Sequence, residues 1–325
     1  MEKTENNETY KEIFETLVNI FPEKIKIPLK LLPEKVKTSA QEIRVGKILR
    51  IICGEKIIPL KIKITKNERE EIFKKICGYS PYSFQEQLRE GFLTFKGGHR
   101  IGFASSAVIE NEKITNIKDI TSMNIRIARQ VKGCAEELWE KIKGDESGSL
   151  IVGPPSSGKT TLLRDLARII SKNSKVCIVD ERGEIAGAFE GEIFMDVGES
   201  DVLNGLPKPV AMLRAVRCLS PQVIICDEIG NLGETLSVGE VLNSGVKIIS
   251  SIHAKNEKEL LAKPQAIRLL NSGAFETVII LNRKNVGEIS NIFKVGELLK
   301  NENYGNNPAD SFGSFGGNVF PAAQP

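Results

Sequence analysis

The chain has 325 residues, 41% of them hydrophobic and 27% charged, with 45 Lys and Arg against 42 Asp and Glu for a net charge of +3. These values exclude global disorder, a collagen-like chain and a coiled-coil rod, leave ample material for a core, and give little support for a dedicated nucleic-acid binder. Six cysteines without metal-ligand spacing, beside only two histidines, argue against a zinc site and read as small buried hydrophobes of a reducing compartment.

The N-terminus, MEKTENNETY, is polar and acidic and does not read as a signal peptide. No apolar run approaches the roughly 20 residues of a bilayer span, so a cytoplasmic protein is expected. Tyr10, Ile13, Phe14, Leu17 and Ile20 predict an amphipathic helix over 9–20. Lys47 to Ile64 reads as strand, turn and strand with Gly54 and Glu55 at the bend. Residues 67–77 read as a helix, and Gly91 to Glu110 as a hairpin around Gly97 and Gly98. Ala128, Val131, Ala135, Leu138 and Trp139 predict a long helix over 127–143, and the small polar stretch 144–149 a domain boundary.

The second half alternates short apolar strands (150–153, 176–180, 223–227, 246–252, 277–281) with helices over 159–171, 209–219, 234–243 and 257–271. That alternation predicts an α/β domain with a parallel sheet covered on both faces. The expected organisation is an N-terminal α+β domain over 1–143, the α/β domain over 144–300, and a disordered tail over 301–325 that has no Lys or Arg.

Gly153-Pro154-Pro155-Ser156-Ser157-Gly158-Lys159-Thr160 fits G-x-x-x-x-G-K-[ST], between an apolar strand and a helix, with Thr161 as a further binding position. Backbone N–H groups and the helix N-terminus would cradle phosphates, Lys159 would reach the β- and γ-phosphates, and Thr160 would offer its hydroxyl to Mg²⁺. Asp227 and Glu228 end the strand 223–227. Such an Asp serves the metal, and the following Glu can act as base toward the attacking water. Asp180, Glu181 and Glu184 end another strand and could share this work, or pair with Arg182 at the surface. His253 ends the next strand, where it could contact the γ-phosphate. Arg100, Arg126, Arg129, Arg214 and Arg217 are candidates for an arginine finger, acting within one chain or from a neighbour.

The order of motifs, GPPSSGKTTLLRDLARII, VCIVDERGEIAG, AMLRAVRCLSPQVIICDEIG and VKIISSIHA, resembles the stage III sporulation protein AA family. That family is similar to the ATPases of type II and type IV secretion and pilus retraction. REGFLTFKGGHRIGFAS and ITSMNIRIARQVKG are also similar to it, so the resemblance covers about residues 10–295. It implies a RecA-like P-loop ATPase core behind an N-terminal domain, ATP and Mg²⁺ as cofactors, and a ring, usually a hexamer. It also implies docking on membrane-embedded components of a sporulation channel, on the mother-cell side. Carried over by residue, Glu181 and Glu184 fall in an acidic box, His253 in a histidine box, and Arg214 and Arg217 before the Asp227 strand. Arg126 resembles an N-terminal-domain arginine that reaches the nucleotide. The resemblance leaves both Glu181 and Glu228 as candidates for polarising the water. A RecA-like ATPase acting on nucleic acid is the alternative. Against it, neither histidine has Arg four residues before it (Phe95 precedes His99 and Ile249 precedes His253), and no basic-aromatic platform is present. A nucleotide switch or small-molecule kinase would need an acceptor pocket for which no signature is seen.

Overall fold

The computed structural model describes residues 2–110, 112–189, 191–282 and 286–303. The first unit opens with helices α1 (Glu2–Leu17), α2 (Glu23–Lys30) and α3 (Glu34–Ser39) and strands β1 (Glu42–Val45), β2 (Ile48–Cys53) and β3 (Lys56–Lys63). Helices α4 (Lys66–Ile76) and α5 (Gln85–Arg89) then lead to β4 (Phe92–Phe95), β5 (His99–Glu110) and β6 (Lys113–Arg126). The strands form one antiparallel sheet in the order β3-β2-β1-β6-β5-β4. Both expected hairpins are present, β2–β3 and β4–β5. Side chains alternate across the sheet with period two. Ile43, Leu49, Ile51, Ile101 and Ile125 point to one face and are buried with Phe14, Leu17, Ile25, Leu29 and Ile72 of the helices. Their sequence neighbours Arg44, Arg50, Arg100 and Arg126 therefore share the other face.

The second unit begins with α6 (Glu136–Ile142), β7 (Gly148–Val152), α7 (Lys159–Ile170), β8 (Val176–Asp180) and β9 (Asp201–Asn204). It continues through α8 (Lys208–Leu219), β10 (Val223–Cys226), α9 (Leu232–Leu242), β11 (Lys247–Ile252), α10 (Glu257–Leu261) and α11 (Pro264–Asn271). It closes with β12 (Phe275–Leu281), β13 (Ile289–Lys294) and α12 (Val295–Asn303). The expected parallel sheet is there, ordered β13-β12-β7-β11-β10-β8-β9, with β13 antiparallel at one edge. Every residue of β7, β8 and β10 is buried. Leu150, Val152, Cys177 and Val179 pack on one side against α8, α9, α11 and α12, and Ile151, Val176 and Ile178 on the other against α6 and α7. A strand buried on both faces reads as an unbroken apolar run, which is why these strands were visible in the sequence.

Four expectations need correction or completion. The helix over 127–143 is only α6; residues 127–135 run as an extended and turned linker. The linker's polar groups have partners that a helix would deny them. Ala128 N–H donates to His99 Nδ1 (3.0 Å), Gln130 exchanges hydrogen bonds with the Asp196 backbone (2.8 and 2.9 Å), and Gly133 and Ala135 N–H groups donate to Asp165 (3.2 and 2.8 Å). The helix over 257–271 is two helices. Pro264 forces Lys263 out of the helical region, to φ −93° and ψ 116°, and restarts the helix. Strands β1, β6, β9 and β13 and helices α2, α3, α5 and α12 had no reading in the sequence. The expected disordered tail lies, from residue 304 on, outside the described residues. All six cysteines are free thiols, with Cys77, Cys177 and Cys226 buried and Cys218 exposed. Among the described residues no helix is long and apolar enough to cross a membrane.

Candidate functional site

Strand order builds the site. The carboxyl ends of β7, β11, β10 and β8 lie side by side, and they deliver the glycine-rich loop, His253, Asp227–Glu228 and Glu181 in turn. Ligands in such sheets bind beyond these ends. A cleft of about 810 Å³ opens there, between the two units, lined by Pro155 to Thr161, Arg100, Arg126, Glu181, Asp227, Glu228 and His253 among others.

The loop has the backbone an anion cradle requires. Gly158 takes φ +98° as the residue capping α7, with no side-chain cap, so the first N–H groups of that helix are free to face a ligand. A Cβ on Gly153 would collide with Ser157 Oγ, and one on Gly158 would stand 2.9 Å from Gly287 N. Ser156, a non-glycine residue, sits at φ 61°, a strained angle that the surrounding loop has to enforce. Ser157 Oγ is buried without a hydrogen-bond partner, and Gly287 N–H donates to the Ser157 carbonyl at 2.8 Å.

Lys159 Nζ lies 3.0 Å from the Gly153 carbonyl, 3.0 Å from the Pro154 carbonyl and 2.9 Å from His253 Nδ1. His253 Nε2 is 2.8 Å from Glu228 Oε2. His253 Nδ1 also lies 3.3 Å from the Gly153 carbonyl; the Nε2–H tautomer serves the two shorter contacts, accepting from Lys159 and donating to Glu228. The Lys263 ammonium donates to the His253 carbonyl and fixes its backbone. Burial pushes the Lys159 pKa down, opposed by the charges of Glu228 and Asp227. Asp227 is held by two serines of β11. Ser250 Oγ donates to its carbonyl (3.1 Å) and Ser251 Oγ to its carboxylate (3.2 Å).

The acids after β8 divide their work. Asp180 lines the cleft, but its carboxylate is committed to the backbone, accepting the N–H groups of Glu184, Ile185 and Ala186 at 2.8, 3.1 and 2.9 Å. Burial raises its pKa and these amides oppose the rise. Glu181 faces Lys208, 3.8 Å away. Glu184 stands 3.5 Å from Arg100; burial, then the Asp227 charge, raise its pKa, and Arg100 lowers it.

Arg100 and Arg126 are direct cross-strand partners, a like-charge pair that is unfavourable unless compensated. Glu184 compensates the first and Glu42, 3.8 Å away, the second. Arg129 donates to the Ala40 carbonyl (2.7 Å) and covers the Tyr10 ring, which is a packing role. Arg214 and Arg217 are exposed on α8 and do not line the cleft of their own chain.

Three further residues of this region were not singled out from the sequence. Arg164, 4% exposed, donates at 2.6 Å to each of the carbonyls of Arg129, Glu184 and Ile185. Lys208, at the start of α8, donates to the Glu228 carbonyl at 2.6 Å. Glu234 accepts from Gly230 N–H (2.6 Å) and Asn231 N–H (3.2 Å). Arg164 and Lys208 bind main-chain atoms far along the chain, where spacing rules do not reach, whereas Asn231 and Glu234 have the spacing of a capping box that the sequence does carry.

The fold is shared with a solved ATPase and a solved pilus retraction motor. The ATPase DotB of Yersinia pseudotuberculosis superimposes with a TM-score of 0.52 at 15% identity, covering 82% of this chain and 79% of that one. The pilus retraction motor PilT with bound ADP gives 0.51 at 13% identity, covering 74% of each. In sequence, the stage III sporulation protein AA of Bacillus subtilis (strain 168) is 37% identical over 295 residues, 87% of this chain and 96% of that one. The sporulation stage III protein AA family model matches residues 11–298, and the chain belongs to that family.

Proposed function

We propose that this chain hydrolyses ATP to ADP and phosphate with Mg²⁺, as the subunit of a homo-oligomeric ring, a hexamer, that energises or gates a membrane-associated channel complex during endospore formation. The ring would dock from the cytoplasm, on the mother-cell side, through membrane-embedded partners. One observation carries the reading: Lys159, His253 and Glu228 meet in a single row at the mouth of the glycine-rich loop. Each of the three protons of Lys159 already has an acceptor, so a phosphate must take Lys159 over from Gly153, Pro154 or His253.

The residues present fit the implied ligands. The uncapped start of α7 and the unpartnered Ser157 hydroxyl suit phosphate oxygens held by residues 153–161. Thr160 and Asp227 would hold Mg²⁺, a donor set that suits an ion taking its remaining ligands from phosphate and water. When bound, Mg²⁺ neutralises charge on the phosphates. Glu228 is the assigned base, because its carboxylate is joined to Lys159 through one imidazole, whereas Glu181 faces Lys208. Arg126 would stabilise developing charge from within the chain, and Arg217 from a neighbouring subunit.

The test is steady-state phosphate release with Mg-ATP for wild type and Lys159→Ala. Turnover in the first and none above background in the second is expected. Equal turnover in both would remove the mechanism.

A further inference from the structure

Lys208 belongs to none of the recognised motifs, yet three parts of the site converge on it. Its side chain is 12% exposed and its ammonium donates to the Glu228 carbonyl at 2.6 Å. It also stands 3.6 Å from Glu234 Oε1 and 3.8 Å from Glu181 Oε2. Lys208 is the first residue of the 12-residue helix α8, where the helix dipole disfavours a cation. Its placement there is explained by what it holds rather than by helix stability.

Beside the side-chain contacts of Glu228 with His253 and of Asp227 with Ser251, the main chain of the loop that carries Glu228 has four attachments. Ser250 holds the Asp227 carbonyl, and Ile229 N–H donates to the Ser251 carbonyl at 2.9 Å. Glu234 binds the Gly230 and Asn231 N–H groups, and Lys208 binds the Glu228 carbonyl. The Glu234 side chain is 9% exposed, and Lys208 supplies the cation beside it. A buried carboxylate left without its counter-charge is costly and tends to rearrange. The same ammonium draws Glu181, from the end of β8, toward the loop after β10.

We propose that Lys208 is a positioning residue. It sets where Glu228 points by gripping that residue's carbonyl, and ties the position to Glu181 and to the start of α9 through Glu234. The inference rests on the ATP-hydrolysis reading for its kinetic consequence, and on the nucleotide-free chain for its structural one.

The test compares full-length wild type, Lys208→Met and Lys208→Arg in two measurements. In hydrogen exchange without nucleotide, the Ile229, Gly230 and Asn231 amides should exchange at least about tenfold faster in Lys208→Met, and the arginine variant should recover part of the protection. In steady-state hydrolysis, kcat of Lys208→Met should fall about tenfold or more while KM for ATP stays within about twofold, and Lys208→Arg should recover part of kcat. If Lys208→Met does not fold, Lys208→Gln keeps a donor for the carbonyl without the charge, and intermediate values are expected. Unchanged exchange at these three amides would overturn the proposal. So would a raised KM at unchanged kcat, which would make Lys208 a nucleotide ligand. A wild-type chain that binds ATP without hydrolysing it would sink the enzymatic reading alone, and the exchange result would still decide whether Lys208 holds the loop.

Discussion

Arg164 is a guanidinium committed to three main-chain oxygens. It joins the linker, through the Arg129 carbonyl, to the acidic loop, through those of Glu184 and Ile185. Burial lowers its pKa, and the charge of Asp180 works against that. An unsatisfied buried carbonyl costs about 1–3 kcal/mol, so Arg164→Met should destabilise the chain by on the order of 4 kcal/mol in denaturant unfolding. Arg164→Lys should recover only part of this, because one ammonium does not reproduce a planar fork. A loss below about 1 kcal/mol in Arg164→Met would mean that the carbonyls find other partners. At this scale the glycine-rich loop and Asp227–Glu228 were legible, since each is a local pattern with flanking elements that confirm it. Arg164 and Lys208 were not, since an arginine or lysine that binds carbonyls 20 or 35 residues away resembles any other surface cation in sequence.

Between residues and sheets, the β4–β5 hairpin and the linker 127–135 settle how the two units meet. The hairpin tip sits against the acidic loop, where a Cβ on Gly187 would stand 3.0 Å from the Gly97 carbonyl carbon. His99, at the tip, is 4% exposed and accepts the Ala128 N–H. Burial pushes its pKa down to about 4, below the usual 6.5. The folded chain therefore binds fewer protons than the unfolded chain between these values. The stability is present in full above pH 6.5 and lost as pH falls through that window to about 4, on the order of 3 kcal/mol. Unfolding free energies of wild type and His99→Leu, measured from pH 7 to 4, should change relative to each other by about that amount across the range; parallel profiles would count against a neutral buried imidazole. The linker was misread as helix because Ala128, Val131 and Ala135 recur at helical spacing, and periodicity says nothing of partners elsewhere. Ala135, Leu138 and Ile142 pack in the core of the second sheet, so the division we favour runs through 127–135 rather than at 144. Buried strands were legible because both their faces are apolar. The edge strands β9 and β13, half-exposed, leave no such trace.

For the whole molecule, the cleft already contains Arg100 and Arg126 of its own chain but not Arg217. If Arg217 completes a neighbour's site, ATP turnover per chain should climb with protein concentration. Mixtures of Lys159→Ala with Arg217→Ala should regain partial activity, whereas Lys159→Ala with Arg126→Ala should not. Absence of recovery at every mixing ratio would remove Arg217 from the neighbour's site.

Strand β7, which delivers the glycine-rich loop, is hydrogen-bonded on both sides to strands made much later. Ser149 pairs with Ile249, 249 − 149 = 100 residues on, and with Thr277, further still. Contacts so distant along the chain close late and slowly. A growing polypeptide that has already exposed its loop lysine on the ribosome still lacks His253 and both flanks of β7. If the loop binds nucleotide as proposed, a complete site has to wait for β11 and β12 to be made. Until then β7 is an apolar strand with both edges unpaired, open to pairing with other chains during synthesis.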